Sequence, residues 1–346
     1  MRRYLVVVLL LLLLTPGCTC RPKATPTPTP SPTVTPAPRV TPAPAVTPTP
    51  TPTPAPTPEV PAPLTPQATK IKVIFHPDYQ KVYSQDPDAA PGRMEAILKE
   101  LEGFYDFVKP EPACEEDLRR VHTQRLIDSV KLDPQLYEVA SLSAGGAILA
   151  GELAVKGEVT FGLIRPPGHH ASPNNSSNYC YFNNIAIAVR KLLDEKKIER
   201  ALIVDFDLHF GNGTADIFRD DSRVTYYYLP EVGKVLLEPP PGESSVETNL
   251  DYLYKPEEDR IPQLQALEEY LKNTTGYDIL AVSAGFDGGK EDWGGIFEIE
   301  DYRSIGILLK EAAEKNCQGR RFAVLEGGYN HQVLGKNVKA FLEGFQ

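Results

Sequence analysis

The stretch Ala201-Leu-Ile-Val-Asp205-Phe-Asp207-Leu-His209 opens as an apolar, β-branched run and ends on three ionisable residues. A continuous apolar run of this length reads as a strand covered on both faces, as in parallel sheets. Side chains alternate along a strand, so Asp205, Asp207 and His209 project to the same side. A core strand tolerates three ionisable groups on one face only if a metal or their own pairing neutralises them. Carboxylate and imidazole are suitable zinc ligands, and a catalytic zinc takes three protein ligands with a fourth position open. The third candidate is Asp287, at the end of Ala281-Val-Ser-Ala-Gly-Phe-Asp287. A buried hydrogen-bonded pair is the competing reading of an isolated Asp-x-His.

Outward from this strand the same kind of run recurs at Ile71–Phe75, Val159–Leu163, Val224–Tyr228, Ile279–Ser283 and Phe322–Leu325. Helical patterns separate these runs at Gly92–Leu101, Ser143–Val155, Asn184–Glu195, Pro262–Lys272, Asp301–Lys315 and Val333–Phe345. The alternation predicts an α/β fold, a three-layer α/β/α sandwich around a mainly parallel sheet. Polar clusters follow the strands directly, at Arg165–His170, Asp205–Thr214, Ser283–Asp287 and Glu326–Tyr329. Loops at the carboxyl ends of parallel strands form the ligand crevice, so the four clusters are expected to converge on one site.

The rest of the 346-residue chain has a different composition. Residues 1–18 read as a signal peptide, with Arg2 and Arg3 ahead of the apolar run Leu5–Leu14 and Gly17 just before Cys18. Ten apolar residues make a helix of about 15 Å, half a bilayer core, which argues against a membrane span. The ending Leu-Thr-Pro-Gly-Cys resembles a bacterial lipoprotein signal, with Cys18 as lipid anchor to the membrane; simple secretion is the alternative. Residues 19–69 are dominated by Pro, Thr, Ala and Val with repeated Thr-Pro. Such a composition buries too little apolar surface to fold and favours extended polyproline II, a stalk of up to roughly 150 Å. Residues 70–346 are then the folded catalytic domain. A net charge of −10 argues against nucleic acid as partner. Cys114, Cys180 and Cys317 are widely spaced without Cys-x-x-Cys, so no thiolate zinc site is indicated.

Six motifs occur in order: Arg165-Pro-Pro-Gly-His169-His170-Ala171, Cys180-Tyr-Phe-Asn-Asn184, Asp205-x-Asp207-x-His209, Gly211-Asn-Gly-Thr214, Ser283-Ala-Gly-Phe-Asp287 and Leu325-Glu-Gly-Gly-Tyr329. Together they resemble the signature of the zinc-dependent histone deacetylase superfamily, in its bacterial deacetylase-like and acetylpolyamine amidohydrolase-like members, over roughly residues 71–345. The resemblance implies one catalytic Zn²⁺ held by Asp207, His209 and Asp287, with Fe²⁺ as an alternative ion, and it allows a structural K⁺. It implies His170 as the main general base, His169 as its supporting partner and Asp205 as the acceptor that orients His169. Tyr329 would donate its hydroxyl to the developing oxyanion, and Gly327 and Gly328 would let the backbone approach substrate. Tyr179 matches an aromatic tunnel wall, and Asp133 lies where the family has a rim aspartate that grips substrate backbone.

Departures from the pattern accompany the match. Asn178 replaces a glycine, Phe210 replaces the histidine that commonly follows His209, and Asn212 stands where some members carry aspartate. Less negative charge beside His170 should leave its pKa less raised. The Tyr226–Gly242 stretch is unlike the family's loop, which points away from histones and toward a small or peptide-borne acyl amide. An arginase-type ureohydrolase needs a further aspartate at the position of Gly211, and a stalked surface receptor with an inactivated domain is the non-enzymatic alternative. Oligomeric state is not encoded in these motifs.

Overall fold

The computed structural model describes residues 70–229 and 256–346. The signal, the stalk, the Cys18 anchor and the 230–242 part of the altered loop lie outside the described residues. Seven strands form one sheet: β1 (Lys72–Ile74), β2 (Asp106–Val108), β3 (Thr160–Gly162), β4 (Ala201–Asp205), β5 (Val224–Tyr228), β6 (Ile279–Ala284) and β7 (Arg321–Leu325). Their order is β2-β1-β3-β7-β6-β4-β5, and every pairing is parallel. The described helices are α1 (Arg93–Leu101), α2 (Glu115–Leu118), α3 (Gln124–Val130), α4 (Pro134–Val155), α5 (Asn184–Asp194), α6 (Asn212–Phe218), α7 (Pro256–Asn273), α8 (Ile299–Cys317) and α9 (Leu334–Phe345).

Strand alternation sorts the helices into two layers. Phe322 of β7 faces the α4 side, where a Cβ on Gly151 would meet both its ring and Leu192 of α5. Phe161 of β3 is in register with the next residue, Ala323, and packs on Phe341 of α9. Consecutive positions of one strand point to opposite faces, so α4 with α5 and α9 with its neighbours α1 and α8 cover opposite sides of the sheet. The central strands β4, β6 and β7 are buried at every position, as their unbroken apolar sequences require. The expected three-layer α/β/α sandwich is what forms.

Strand β2 and the short helices α2, α3 and α6 had no counterpart in the sequence pattern, and α4 is longer than its pattern. β2 is three residues long, lies at the sheet edge and exposes Asp106 and Phe107, so it lacks the apolar run that marked the others. Helix α4 starts nine residues earlier than the pattern suggested. Asp133 is its N-cap, with Oδ1 accepting from the backbone N–H of Gln135 and Leu136 at 3.1 Å each, and Pro134 fills the first helical position. This helix is long and apolar enough to cross a membrane by composition, but most of it is buried against the sheet and α5.

The topology decides where the chemistry sits. Strands β3, β7, β6 and β4 are adjacent in the sheet. The four polar clusters are their carboxyl-terminal loops, so they meet along one edge.

Candidate active site and metal centre

Asp207, His209 and Asp287 come together just beyond β4 and β6. One ligand atom from each lies within 4.8 Å of the others, and both carboxylates are buried. His209 Nδ1 stands 3.2 Å from Asp207 Oδ1 and 2.9 Å from Asp287 Oδ2. Backbone donors fix the carboxylates. Asp207 accepts from His209 N at 2.9 Å and from Gly327 N at 2.7 Å, and Asp287 Oδ1 accepts from Leu208 N at 3.1 Å. Asp287 Oδ2, completely buried, has only the His209 imidazole within reach, 2.9 Å away and poorly aligned for a hydrogen bond. Two buried carboxylates that share one imidazole are costly unless positive charge lies between them, and this donor set fits zinc.

The electrostatics agree. Burial and the Asp207 charge push Asp287 above the usual carboxylate range. Burial also opposes ionisation of Asp207, but His169 and His209 outweigh it and hold that carboxyl well below its usual value. Burial likewise lowers the His209 pKa, and its bonds to Asp207 and Asp287 overcome that and raise it to about 10. Two carboxylates this close do not both ionise readily without positive charge between them, so a divalent ion would take over the role the protonated imidazole plays.

The histidine pair forms one wall. His169 Nδ1 donates to Asp205 Oδ2 at 3.0 Å, and Asp207 and Asp205 raise its pKa to about 10 against the effect of burial. His170 Nδ1 donates to Asn212 Oδ1 at 2.6 Å, which leaves Nε2 with its lone pair toward the cavity side. Burial and the neighbouring His169 depress the His170 pKa to about 3, with the bond to Asn212 opposing them. The two rings lie 4.1 Å apart.

A cavity of about 290 Å³ opens above these groups, lined by His169, His170, Tyr179, His209, Trp293, Gly327 and Tyr329 among others. Burial, then the charges of Asp287 and Asp207, hold the Tyr329 hydroxyl protonated. Its backbone N–H and that of Asn330 both donate to Asp292 Oδ2 at 2.8 Å. Tyr179 faces Tyr329 with ring centroids 6.4 Å apart. It is carried on a tight turn, Ser177–Cys180, closed by Cys180 N to Ser177 O at 2.8 Å and Ser177 N to Cys180 O at 3.1 Å. Asn178 and Tyr179 both have positive φ there, 44° and 66°. Asparagine tolerates that region better than other non-glycine residues, so Asn178 replaces glycine with the turn intact.

Other predicted residues fall elsewhere. Gly327 lines the cavity, where a Cβ would lie 2.6 Å from Asp207 Oδ2. Gly328 is set back, with φ 122°, and its carbonyl accepts from Arg93 Nε at 2.8 Å. Asp133 is exposed at the α4 N-cap and outside the cavity lining, near enough to Tyr181 to raise its pKa after burial has done most of that. His122 is structural: Nδ1 bonds Ser172 O at 3.0 Å and Nε2 accepts from Asn183 N at 2.8 Å. Cys180 lines the cavity, but burial pushes its thiol pKa far up, which suits packing and not nucleophilic attack.

Four contributors went unread in the sequence. Trp293, 52% exposed, stacks on Tyr329 with centroids 4.0 Å apart. It is the only tryptophan in the chain and sits in a glycine-rich loop after Asp287, which was a usable signal. Glu326 accepts from Gly168 N at 2.6 Å, His169 N at 3.2 Å and Ser283 Oγ at 3.2 Å, tying three of the loops together. Arg93, fully buried, donates to Glu326 O at 2.6 Å and Gly328 O at 2.8 Å. Tyr226 donates to Asp205 Oδ2 at 2.8 Å. Buried arginines and tyrosines have no sequence periodicity of their own.

The relatives of this chain share this domain. A "Probable deacetylase" of Methanothermobacter thermautotrophicus is 32% identical, covering 79% of this chain and 89% of the relative. The "Histone deacetylase-like amidohydrolase" of Pseudomonas aeruginosa is 30% identical over 64% of this chain and 66% of its own length. The crystal structure of the HDA15 HD domain superposes with a TM-score of 0.65 at 23% identity, covering 79% of this chain and 88% of that one, which speaks to the fold. Residues 88–345 match the family described as Histone deacetylase domain, and the chain therefore belongs to that family.

Proposed function

We propose that the chain is a zinc-dependent deacetylase that hydrolyses an acyl amide, chiefly an acetyl amide, on an amine such as a lysine side chain or a polyamine. The observation that carries the reading is the buried Asp207–His209–Asp287 trio, whose ligand atoms lie within 4.8 Å of one another beside a cavity walled by His170 and Tyr329. When bound there, zinc supplies Lewis acidity, polarising the amide carbonyl and acidifying a water molecule. His170 is neutral with Nε2 free, so it can take a proton from the attacking water and return it to the leaving amine. His169, steadied by Asp205, supports that charge movement. The Tyr329 hydroxyl donates to the negative charge that develops on the carbonyl oxygen.

The arginase-type alternative has no support at position 211. A Cβ on Gly211 would lie 2.4 Å from Asp205 Oδ2 and 2.5 Å from the Tyr226 hydroxyl, so an aspartate does not fit. We further propose that the chain is exported and anchored through Cys18, which places its substrates outside the cytoplasm. Mass spectrometry of the N-terminal peptide tests this: a lipid-modified Cys18 is expected, and an intact Met1 on cytosolic protein would refute it.

Activity is tested with purified full chain on fluorogenic acetyl-lysine amides and acetylated polyamines, with metal analysis. Turnover should vanish with chelator, return with Zn²⁺ or Fe²⁺, and fall roughly 10²–10³-fold in Tyr329→Phe. No turnover across the panel by metal-loaded protein, or turnover indifferent to chelator, would favour the binding-protein alternative or sink the metal mechanism.

A further inference from the structure

His169 and His170 are each fixed by a hydrogen bond at Nδ1, whereas the Tyr329 hydroxyl has no hydrogen-bond partner among the described residues. Its backbone is soft by sequence, since Gly327 and Gly328 precede it and Gly328 has φ 122°. The aim of the phenol is therefore set by whatever holds its ring and its backbone N–H. The closest hold on both comes from one dipeptide, Asp292-Trp293. The indole stacks on the phenol with centroids 4.0 Å apart and planes 25° from parallel, while Arg93 and Tyr179 lie 5.6 and 6.4 Å from the same ring centre. Asp292 Oδ2 accepts from Tyr329 N and Asn330 N, and Asp292 Oδ1 accepts from Trp293 N, all at 2.8 Å. A single carboxylate thus ties together the backbones of the two stacked residues.

We propose that Trp293, braced by Asp292, is a positioning residue that holds the Tyr329 phenol where its hydroxyl meets the developing oxyanion. Core packing does not account for its placement, because Trp293 is 52% exposed and the rings it covers belong to the site. Besides stacking on Tyr329, the indole stands edge-on to the His209 imidazole, with centroids 6.1 Å apart and planes at 90°. It therefore spans from a candidate metal ligand to the oxyanion donor. The loop that carries it begins at Asp287, and Gly294 N donates back to Asp287 O at 2.8 Å. That turn is tight, since a Cβ on Gly294 would lie 2.8 Å from Gly288 Cα. Trp293 is thus placed against two residues of the metal trio, and Tyr329 is placed against Trp293.

The inference rests on the deacetylase reading, and a double-mutant cycle separates the two. Zinc-loaded full chain, Trp293→Ala, Tyr329→Phe and the double variant are compared on a fluorogenic acetyl-lysine amide. A residue that acts only through the transition-state hydroxyl lowers kcat and kcat/KM together and leaves KM in place. Trp293→Ala should therefore lose about tenfold in kcat, less than the roughly 10²–10³-fold of Tyr329→Phe. Added to Tyr329→Phe it should cost less than about twofold more, because the group it positions is already gone. Trp293→Phe, which keeps a ring to stack, should recover most of the loss. Equal losses in the two backgrounds, or a raised KM at native kcat, would overturn the proposal and reduce Trp293 to packing or substrate contact. Wild type without turnover would sink the deacetylase reading, and the stack is then judged by emission, since Trp293 is the only tryptophan in the chain. Tyr329→Ala should move that emission to longer wavelength as the stacked face of the indole meets water. An unshifted spectrum would remove the stack, and the positioning role with it.

Discussion

Alanine at position 327 adds one methyl group, and its destination is defined. The new Cβ would lie 2.6 Å from Asp207 Oδ2 and 2.8 Å from both Cγ and Oδ2 of Asp287. Ordinary contact begins near 3.4 Å, so a carboxylate or the loop must shift by about 0.8 Å. Neither side yields freely. Asp207 is held by Gly327 N and His209 N, Asp287 by Leu208 N, and the loop itself by Arg93 through the carbonyls of Glu326 and Gly328. Misplacing reacting groups by about 1 Å costs roughly 10²-fold in rate, equivalent to about 2.7 kcal/mol of transition-state stabilisation. Gly327→Ala should therefore lose about a hundredfold in kcat/KM and at least tenfold in zinc affinity, with its circular dichroism unchanged. Steady-state kinetics and chelator competition on the same preparation measure both. A folded variant with native zinc affinity and kcat/KM within twofold would show that the trio and the loop are not packed as described.

Three further outcomes follow from the same contacts. In Asn212→Asp a carboxylate replaces the amide bonded to His170 Nδ1, and an opposite charge there should raise the imidazole pKa by about one to three units. The acid limb of the kcat/KM profile, where the base becomes protonated, should move to higher pH; an unmoved limb would detach residue 212 from the basicity of His170. His122 has its pKa lowered by burial to about 4, so the unfolded chain binds more protons between the two values. Its contribution is lost as pH falls from about 6.5 through 4, on the order of 3 kcal/mol, and His122→Gln should flatten the pH dependence of the folding free energy in that window. Arg93→Met leaves the buried carbonyls of Glu326 and Gly328 without their donor, at about 1–3 kcal/mol each. Calorimetry should show Tm lower by several degrees, and kcat should fall because the freed loop carries Tyr329.

The fold was legible where the sequence carries a period. Strands β4, β6 and β7 are buried throughout, so they read as unbroken apolar runs, and their carboxyl-terminal loops were visible as polar clusters. The start of α4 was not legible by period, because its first turns are partly exposed and polar. The Asp133-Pro134 cap signal was present but competes with a functional reading of the same aspartate. The metal trio and the histidine pair could be picked out because ionisable residues at strand ends are rare and need neutralising. Trp293, Arg93 and Tyr226 act through tertiary contact with segments 36, 235 and 21 residues away, respectively. No local pattern encodes such distances.

The departures at 210, 212 and in the stretch that begins at 226 looked like separate changes along the chain. In space they belong to two chains of contact that meet on the histidine pair. Phe210 packs on Tyr226, which shares Asp205 with His169, while Asn212 holds His170. A motif scored position by position would therefore count against the site changes that support one another. Phe210 without Tyr226 would leave a hydrophobic ring over an exposed carboxylate, and Tyr226 without Gly211 would collide with a Cβ. The candidate catalytic residues are backed by one connected set of contacts, and this is why an unusual β5 is compatible with the Asp207–His209–Asp287 cluster.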